Sequence, residues 1–319
     1  TQIGWYAWGT ATMAILLVKL TGLPESWTMP LMVVFGFGFC ITAFIGYRGL
    51  EVLSRFAVPA MIILVAVSMT IAGSDAGGLA GLMSITPSED MTVAAAITLV
   101  FGTFVSGGTQ ATNWTRFARS GKTAVIATLL AFFLGNGLMT LIGAFGALVY
   151  QQADIVDIMV AQGLATLGIL MLFLNLWTTQ DNTVYNFAVA GCNLLRTRRR
   201  KLVTVGGAAI GTVLAVLGMY EWLIPFLVLL GTFIPPIGGV IMASYFVGYK
   251  REYPALDQVS LPAFNVPGLA AYAIGSVVAY TSPWIAPIVG VVVAAGSYGL
   301  LLLVADSVRE RRAQTSGAA

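Results

Sequence analysis

Neutral oxygens spaced to hold a hard monovalent cation are the sharpest chemical signal in this sequence. In the stretch Leu174–Tyr185, reading LNLWTTQDNTVY, the residues Asn175, Thr178, Thr179 and Asn182 fall at i, i+3, i+4 and i+7, so a helix aligns them on one face. Thr178 and Thr179 offer adjacent hydroxyl oxygens, and Asn175 adds a side-chain or carbonyl oxygen. Such a set suits sodium, whereas calcium calls for several carboxylates. The stripe lies inside an otherwise apolar segment, from Ala165 to Leu195. Polar groups facing lipid are costly, so the stripe either glues helices together or faces water, an ion or a substrate. Asp181 is the one acid placed within a span, with Gln180 before it. An intramembrane acid is a functional candidate by default, the alternative being a pair with Asn182 or with another helix.

A second group lies at Thr103-Phe104-Val105-Ser106-Gly107-Gly108. Its glycines are expected to loosen the helix and free backbone groups, either as a discontinuous helix of the kind that binds substrates near the midplane or as a plain packing kink. An aromatic such as Phe104 beside freed amides could stack on a planar ligand. Gln2 and Trp5 stand one helical turn apart in the first span, where Trp5 equally fits an interfacial belt. Pro235-Pro236 interrupts another span and is expected to kink it.

Several chemistries are excluded. The chain has no histidine and only two cysteines, Cys40 and Cys192, both in apolar runs, which removes histidine catalysis, most zinc sites and any disulfide scaffold. No phosphate-binding loop, zinc-protease helix or nucleophile elbow is present, and the pair Gly36 and Gly38 lies in a span rather than in a dinucleotide fingerprint. An enzyme reading and an organic cofactor have no support.

The elements that must position these residues are membrane spans. Of 319 residues, 58% are hydrophobic and 9% charged, against about a quarter charged in soluble domains. This composition describes a polytopic helical membrane protein. Ten spans are expected: Ile3–Leu20, Met29–Tyr47, Phe56–Ala72, Met91–Phe117, Ala124–Tyr150, Ala165–Leu195, Val203–Met219, Trp222–Tyr249, Leu269–Tyr280 with its flanks, and Ile285–Val304. A polar linker, Gly73–Asp90, follows the third, and Gln151–Gln162 is a linker or an interfacial helix. Gly135, Gly137, Gly143 and Gly146 in the fifth span are expected to allow close helix approach.

Fifteen of the sixteen Lys and Arg residues fall on alternate loops or the tail: Arg48 and Arg55; Arg116, Arg119 and Lys122; Arg196, Arg198, Arg199, Arg200 and Lys201; Lys250 and Arg251; Arg309, Arg311 and Arg312. Only Lys19 lies opposite, among Glu25, Asp75, Glu89, Asp90, Asp154, Asp157 and Glu221. The positive-inside rule then puts both ends of the chain in the cytoplasm and reads the Arg196–Lys201 run as topological rather than as a nucleic-acid patch. The chain opens on Thr1 within a span-like stretch, so the start of the protein is expected to be missing.

Taken in order, Thr1–Trp5, Thr103–Thr109, Arg116-Phe117, Ala131–Asn136, Asp157–Leu164, Leu174–Thr179 and Ile234–Ile241 resemble the nucleobase:cation symporter-1 family, in particular its bacterial members that carry cytosine. The resemblance implies twelve spans, ten of them in two inverted five-helix repeats with two further C-terminal helices. The ten spans here would be the third to twelfth, with residues 1–304 as transporter domain and 305–319 as a cytoplasmic tail. It implies a monomer in the bacterial inner membrane, embedded in the lipid bilayer and binding no nucleic acid. Such a protein imports cytosine or a related nucleobase by alternating access with a coupling cation, sodium first and proton as the alternative. Hydroxymethylpyrimidine, a purine or a hydantoin-like ring are alternative cargoes, and a channel or a scaffold is a more distant one. By motif position, Trp5 and Phe104 would sandwich the ring, and Thr103, Ser106, Gln2 and Gln180 would surround its edge. Asn175, through its carbonyl, with Thr178 and Thr179 would hold sodium. Two departures bear on cargo. Gln180-Asp181-Asn182 stands where the family has Asn-Asp-Asn, and Asn113-Trp114 stands where it often has Asp-Phe. The extra methylene of Gln180 moves its amide by about one bond length.

Overall fold

The structure, a computed structural model, describes residues 1–86, 91–152, 154–254 and 264–316. In chain order the helices are α1 (Gln2–Thr21), α2 (Thr28–Gly38), α3 (Cys40–Ile45), α4 (Tyr47–Asp75), α5 (Gly78–Ser84), α6 (Val93–Thr109), α7 (Thr112–Thr115) and α8 (Gly121–Leu129). They continue with α9 (Gly137–Tyr150), α10 (Ile155–Ala161), α11 (Ala165–Leu194), α12 (Arg200–Val216), α13 (Leu223–Phe233), α14 (Pro235–Ala243), α15 (Val266–Thr281) and α16 (Ala286–Ser316). No strand occurs among the described residues. Glu89, Asp90 and the side chains of Arg309, Arg311 and Arg312 lie outside the described residues.

Seven stretches among the described residues are long and apolar enough to cross a membrane: Gln2–Thr21, Glu25–Ile45, Arg48–Asp75, Val93–Thr115, Gly121–Tyr150, Met219–Gly248 and Ala286–Val304. The other three expected spans are helical as well. Two of them are short, α12 with 17 residues and α15 with 16. The third, α11, has 30 residues, but its polar residues dilute its apolar length. Gly73–Asp90 is not all linker, since α5 forms within it. Within Gln151–Gln162 the helical alternative holds, as α10.

The helices form two compact units. The first holds Thr1–Asp90 and Asn113–Leu223. Here α11 packs against α1, α3, α4, α10 and α12, around a core that includes Tyr6, Met13, Phe39, Leu172, Leu176, Val184 and Tyr185. Helices α2 and α12 come close because Gly36 has no side chain: a Cβ there would stand 2.0 Å from Thr212 Oγ1. The Tyr6 hydroxyl donates to the Gly36 carbonyl at 2.6 Å and ties α1 to the same place. The expected close approach at the fifth-span glycines holds at Gly146, where a Cβ would meet Ile158 Cδ1 at 3.0 Å. It fails at Gly135 and Gly143, which have no described atom within 4 Å; Gly135 sits in a π-helical turn, Leu130–Asn136, with no buried residue.

The second unit holds Met91–Thr112 and Ile224–Ala319. Gly102 of α6 lets α13 in, since a Cβ there would stand 2.2 Å from the Leu227 carbonyl oxygen. The Pro235-Pro236 pair does more than kink its span. Helix α13 ends at Phe233 and α14 begins at Pro235, with both prolines buried in the first turn, where their missing N–H groups leave no bond unmade.

Candidate functional site

Helix α11 carries polar side chains on every side, and each direction meets a different partner. Thr178 is buried, and its hydroxyl donates to the carbonyls of Leu174 at 3.1 Å and Asn175 at 2.9 Å. Giving its proton to the helix leaves its lone pairs for a cation. Asn175 is half-buried and Thr179 exposed. These three oxygen sources thus share one part of α11, from buried to open.

Gln180 points elsewhere. It is completely buried. Its amide nitrogen donates to the Tyr6 carbonyl at 2.5 Å and to Thr10 Oγ1 at 3.1 Å, both on α1. Among the described residues its Oε1 has no hydrogen-bond partner. The side chain fits because Gly9 leaves room: a Cβ there would stand 2.9 Å from Gln180 Cδ. Gln180 therefore ties α1 to α11 and also holds an acceptor with nothing to accept, a costly state in a buried place.

Asp181 is 1% exposed. Its carboxylate accepts from Thr42 Oγ1 at 3.0 Å, and Thr42 in turn accepts from the Trp177 indole N–H at 3.2 Å. One turn further on, the Asn113 amide donates to Asn186 at 3.2 Å.

On α1, Gln2 and Trp5 are half-buried. The Trp5 ring meets Trp8 edge-on at 6.1 Å, and Trp8 stacks on Tyr220 at 6.3 Å. In the second unit the break expected at Ser106–Gly108 falls just beyond those residues, where Gln110 and Ala111 separate α6 from α7. Helix α6 runs through those residues and ends at Thr109, with the Gln110 amide bonded back to Gly107 and Gly108. Gly107 serves packing instead, since a Cβ there would stand 3.1 Å from the Phe104 ring. Phe104 is exposed and Ser106 buried, while Thr103 donates to the Val100 carbonyl at 2.6 Å.

Charges at the ends of the first unit have specific partners. Arg200 donates to the carbonyls of Ala43 at 2.7 Å and Phe44 at 3.1 Å, next to the turn at Gly46, whose φ of 118° only glycine adopts readily. Its guanidinium also lies 5.9 Å over the Tyr185 ring, and the Tyr185 hydroxyl accepts from Arg116 at 3.3 Å. The Arg196–Lys201 run is thus more than topological: Arg200 closes the exposed carbonyl end of α3. Lys19, the basic residue on the opposite side, meets both carboxylate oxygens of Asp157 at 2.6 and 2.8 Å. Asp154 caps α10 through a 2.8 Å bond from the Val156 amide, and burial pushes its carboxyl above the usual range.

Tyr6, Thr10, Gly9 and Thr42 were not among the expected site residues. Each meets α11 across more than 130 residues of sequence, and helical spacing alone does not name such partners.

Comparison with known proteins bears on what this arrangement serves. Residues 1–301 match the family described as permeases for cytosine/purines, uracil, thiamine and allantoin. The chain is 38% identical over 301 residues to cytosine permease of Escherichia coli O157:H7, covering 94% of this chain and 70% of that one, and the same holds for the strain K12 protein. Among solved structures it is similar in fold to Mhp1, a nucleobase-cation-symport-1 family transporter, in a closed conformation with bromovinylhydantoin bound. That match has a TM-score of 0.79 at 19% identity and covers 96% of this chain and 74% of the other. An inward-facing conformation of Mhp1 matches with a TM-score of 0.74 at 20% identity, over 96% and 73% of the two chains.

Proposed function

This chain belongs to the family of permeases for cytosine/purines, uracil, thiamine and allantoin, and on that premise we propose that it imports cytosine or a closely related nucleobase together with sodium. The observation that carries the cargo is the sequence likeness to cytosine permeases along nearly the whole chain. Sodium is supported by the α11 oxygens. The Thr178 hydroxyl donates inward to two carbonyls, so its lone pairs face away from the helix axis, beside the exposed Thr179 and the Asn175 carbonyl. A sodium ion held there would stiffen this side of the first unit and favour one of the alternating conformations.

Trp5 and Phe104 are assigned the faces of the ring, where stacking on an aromatic contributes about 1–3 kcal/mol per base. Gln2, Thr103, Ser106 and Gln180 are assigned its edge, where unpaired donors and acceptors discriminate between bases. Gln180 is fully buried against Gly9 of α1, so its Oε1 would accept from a ring N–H only in a conformation in which α1 and α11 part. The proposed setting is the bacterial inner membrane, with a monomeric protein and both ends of this chain cytoplasmic.

The test is uptake of radiolabelled cytosine into cells or proteoliposomes in sodium against choline buffer, with adenine, uracil and allantoin as competitors. Sodium-dependent accumulation that only cytosine competes away is the expected result. Equal uptake in both buffers would reject sodium, and accumulation of another ring in place of cytosine would reject the cargo.

A further inference from the structure

Gln180 joins the helix that carries an assigned ring face to the helix that carries the assigned cation oxygens. On α1 the Tyr6 carbonyl, the bare backbone of Gly9 and the Thr10 hydroxyl fall within little more than one turn and form a seat for its amide. Tyr6 is 1% exposed and Thr10 and Gln180 are 0% exposed, so the seat lies in the interior of the first unit and not on its surface. Both N–H groups of the amide are used there, at 2.5 Å to the carbonyl and 3.1 Å to Thr10 Oγ1. The Tyr6 carbonyl can only accept, which fixes which end of the amide is nitrogen. A nucleobase edge therefore finds no donor at Gln180 while α1 and α11 are packed.

What the seat holds is position. Trp5 directly precedes Tyr6, and Thr178 and Thr179 directly precede Gln180. With a rise of about 1.5 Å per residue, each of these groups lies within about 3 Å of the tie along its own helix. A helix is stiff over so short a length, so the amide sets the spacing between the aromatic face and the cation oxygens. The Tyr6 hydroxyl donates to the Gly36 carbonyl at 2.6 Å, so turning α1 about its axis would break bonds to α2 as well as to α11.

We propose that Gln180 is a positioning residue that couples the two ligands: by holding α1 to α11, it makes sodium at the α11 oxygens raise the affinity of the Trp5 face for a nucleobase. The proposal rests on the transport reading above. Sodium orders α11 at Thr178 and Thr179, one shared side chain carries that order to α1, and the nucleobase tightens sodium binding by the same factor.

The experiment measures KM of the full-length protein in proteoliposomes at limiting and at saturating sodium, using the best-transported of cytosine, adenine, uracil and allantoin, with the others as competitors. The ratio of the two KM values is the coupling. Gln180→Met breaks both bonds to α1 and should lower the coupling by about fivefold or more. Thr10→Val breaks one of them and should lower it less, Thr10→Ser should hold it within about twofold of wild type, and the double variant Gln180→Met with Thr10→Val should match Gln180→Met alone. The order in which the four compounds compete should stay that of wild type throughout. Gln180→Met keeps the length of the side chain and removes the unpaired oxygen, while the Thr10 hydroxyl gains the carbonyl one turn back as its acceptor, so the variant leaves no buried group newly unpaired. A merely structural role would lower stability and leave the ratio unchanged. Unchanged coupling in Gln180→Met would overturn the positioning role, and so would a changed order of competition, which would show the amide reading the ring. A wild-type protein whose uptake ignores sodium, or that carries none of these compounds, would overturn the transport reading, and this proposal with it.

Discussion

Substitution of Gly9 by alanine tests whether the Gln180 amide is fixed. The change adds one methyl group in the middle of α1, and on its own it favours the helix by about 1 kcal/mol. That methyl would stand 2.9 Å from Gln180 Cδ and Oε1 and 3.1 Å from Nε2. Gln180 is fully buried and has no solvent into which to retreat. Overpacking of this kind costs about 1–3 kcal/mol, and displacing the amide gives up two hydrogen bonds of about 0.5–1.5 kcal/mol each. The net expectation is a loss of about 1–5 kcal/mol despite the favourable helix propensity. Reversible unfolding in detergent reads it, and a double-mutant cycle assigns it. In a Gln180→Ala background the obstruction is gone, so Gly9→Ala should become neutral or stabilising, with a coupling of about 1 kcal/mol or more. A Gly9→Ala protein that is more stable than wild type, with no coupling to Gln180, would refute the view that α1 and α11 clamp this amide.

Thr179→Ala should weaken sodium dependence of uptake with little effect on stability, because the side chain is exposed; a sodium titration of uptake checks it. Arg200→Lys should destabilise by about 1–3 kcal/mol, since one ammonium cannot reproduce the two divergent guanidinium bonds to Ala43 and Phe44; thermal unfolding reads the loss. Thr42→Val should leave the buried Asp181 carboxylate without its hydroxyl donor and cost about 1–3 kcal/mol, whereas Thr42→Ser should retain most of the stability. Lys19→Met should cost no more than about 1 kcal/mol, because its ion pair with Asp157 is exposed and easily screened; parallel unfolding at low and high salt should narrow even that difference.

Apolar run length and turn residues made the helices legible. The expected segment Ala165–Leu195 differs from α11 by one residue, and the first span ends where Gly22 takes a left-handed conformation. What the sequence could not name was partnership. Periodicity placed Asn175, Thr178, Thr179 and Asn182 on a common face, but Gln180 finds Tyr6 and Thr10 more than 160 residues away, and Asp181 finds Thr42. Such pairings depend on which helices pack together, which is a tertiary fact. Glycine was the least reliable guide. The pair at Gly107 and Gly108 marked a real break, since α6 ends one residue later at Thr109, but Gly135 and Gly143 marked no close approach among the described residues. Nothing in the spacing of the arginines at 196–200 showed that Arg200 turns inward onto α3.

The bond between Lys19 and Asp157 has a consequence for how the protein is made. The two residues are 138 positions apart, so the lysine leaves the ribosome long before its partner exists. At a synthesis rate of about 5–20 residues per second the interval is roughly 7–28 s. Throughout that time Lys19, near the end of α1, lacks this partner, and the acid nearest to it in sequence is Glu25, six residues on. The ion pair between Lys19 and Asp157 therefore closes late, and α1 has to fold without it until α10 has been made.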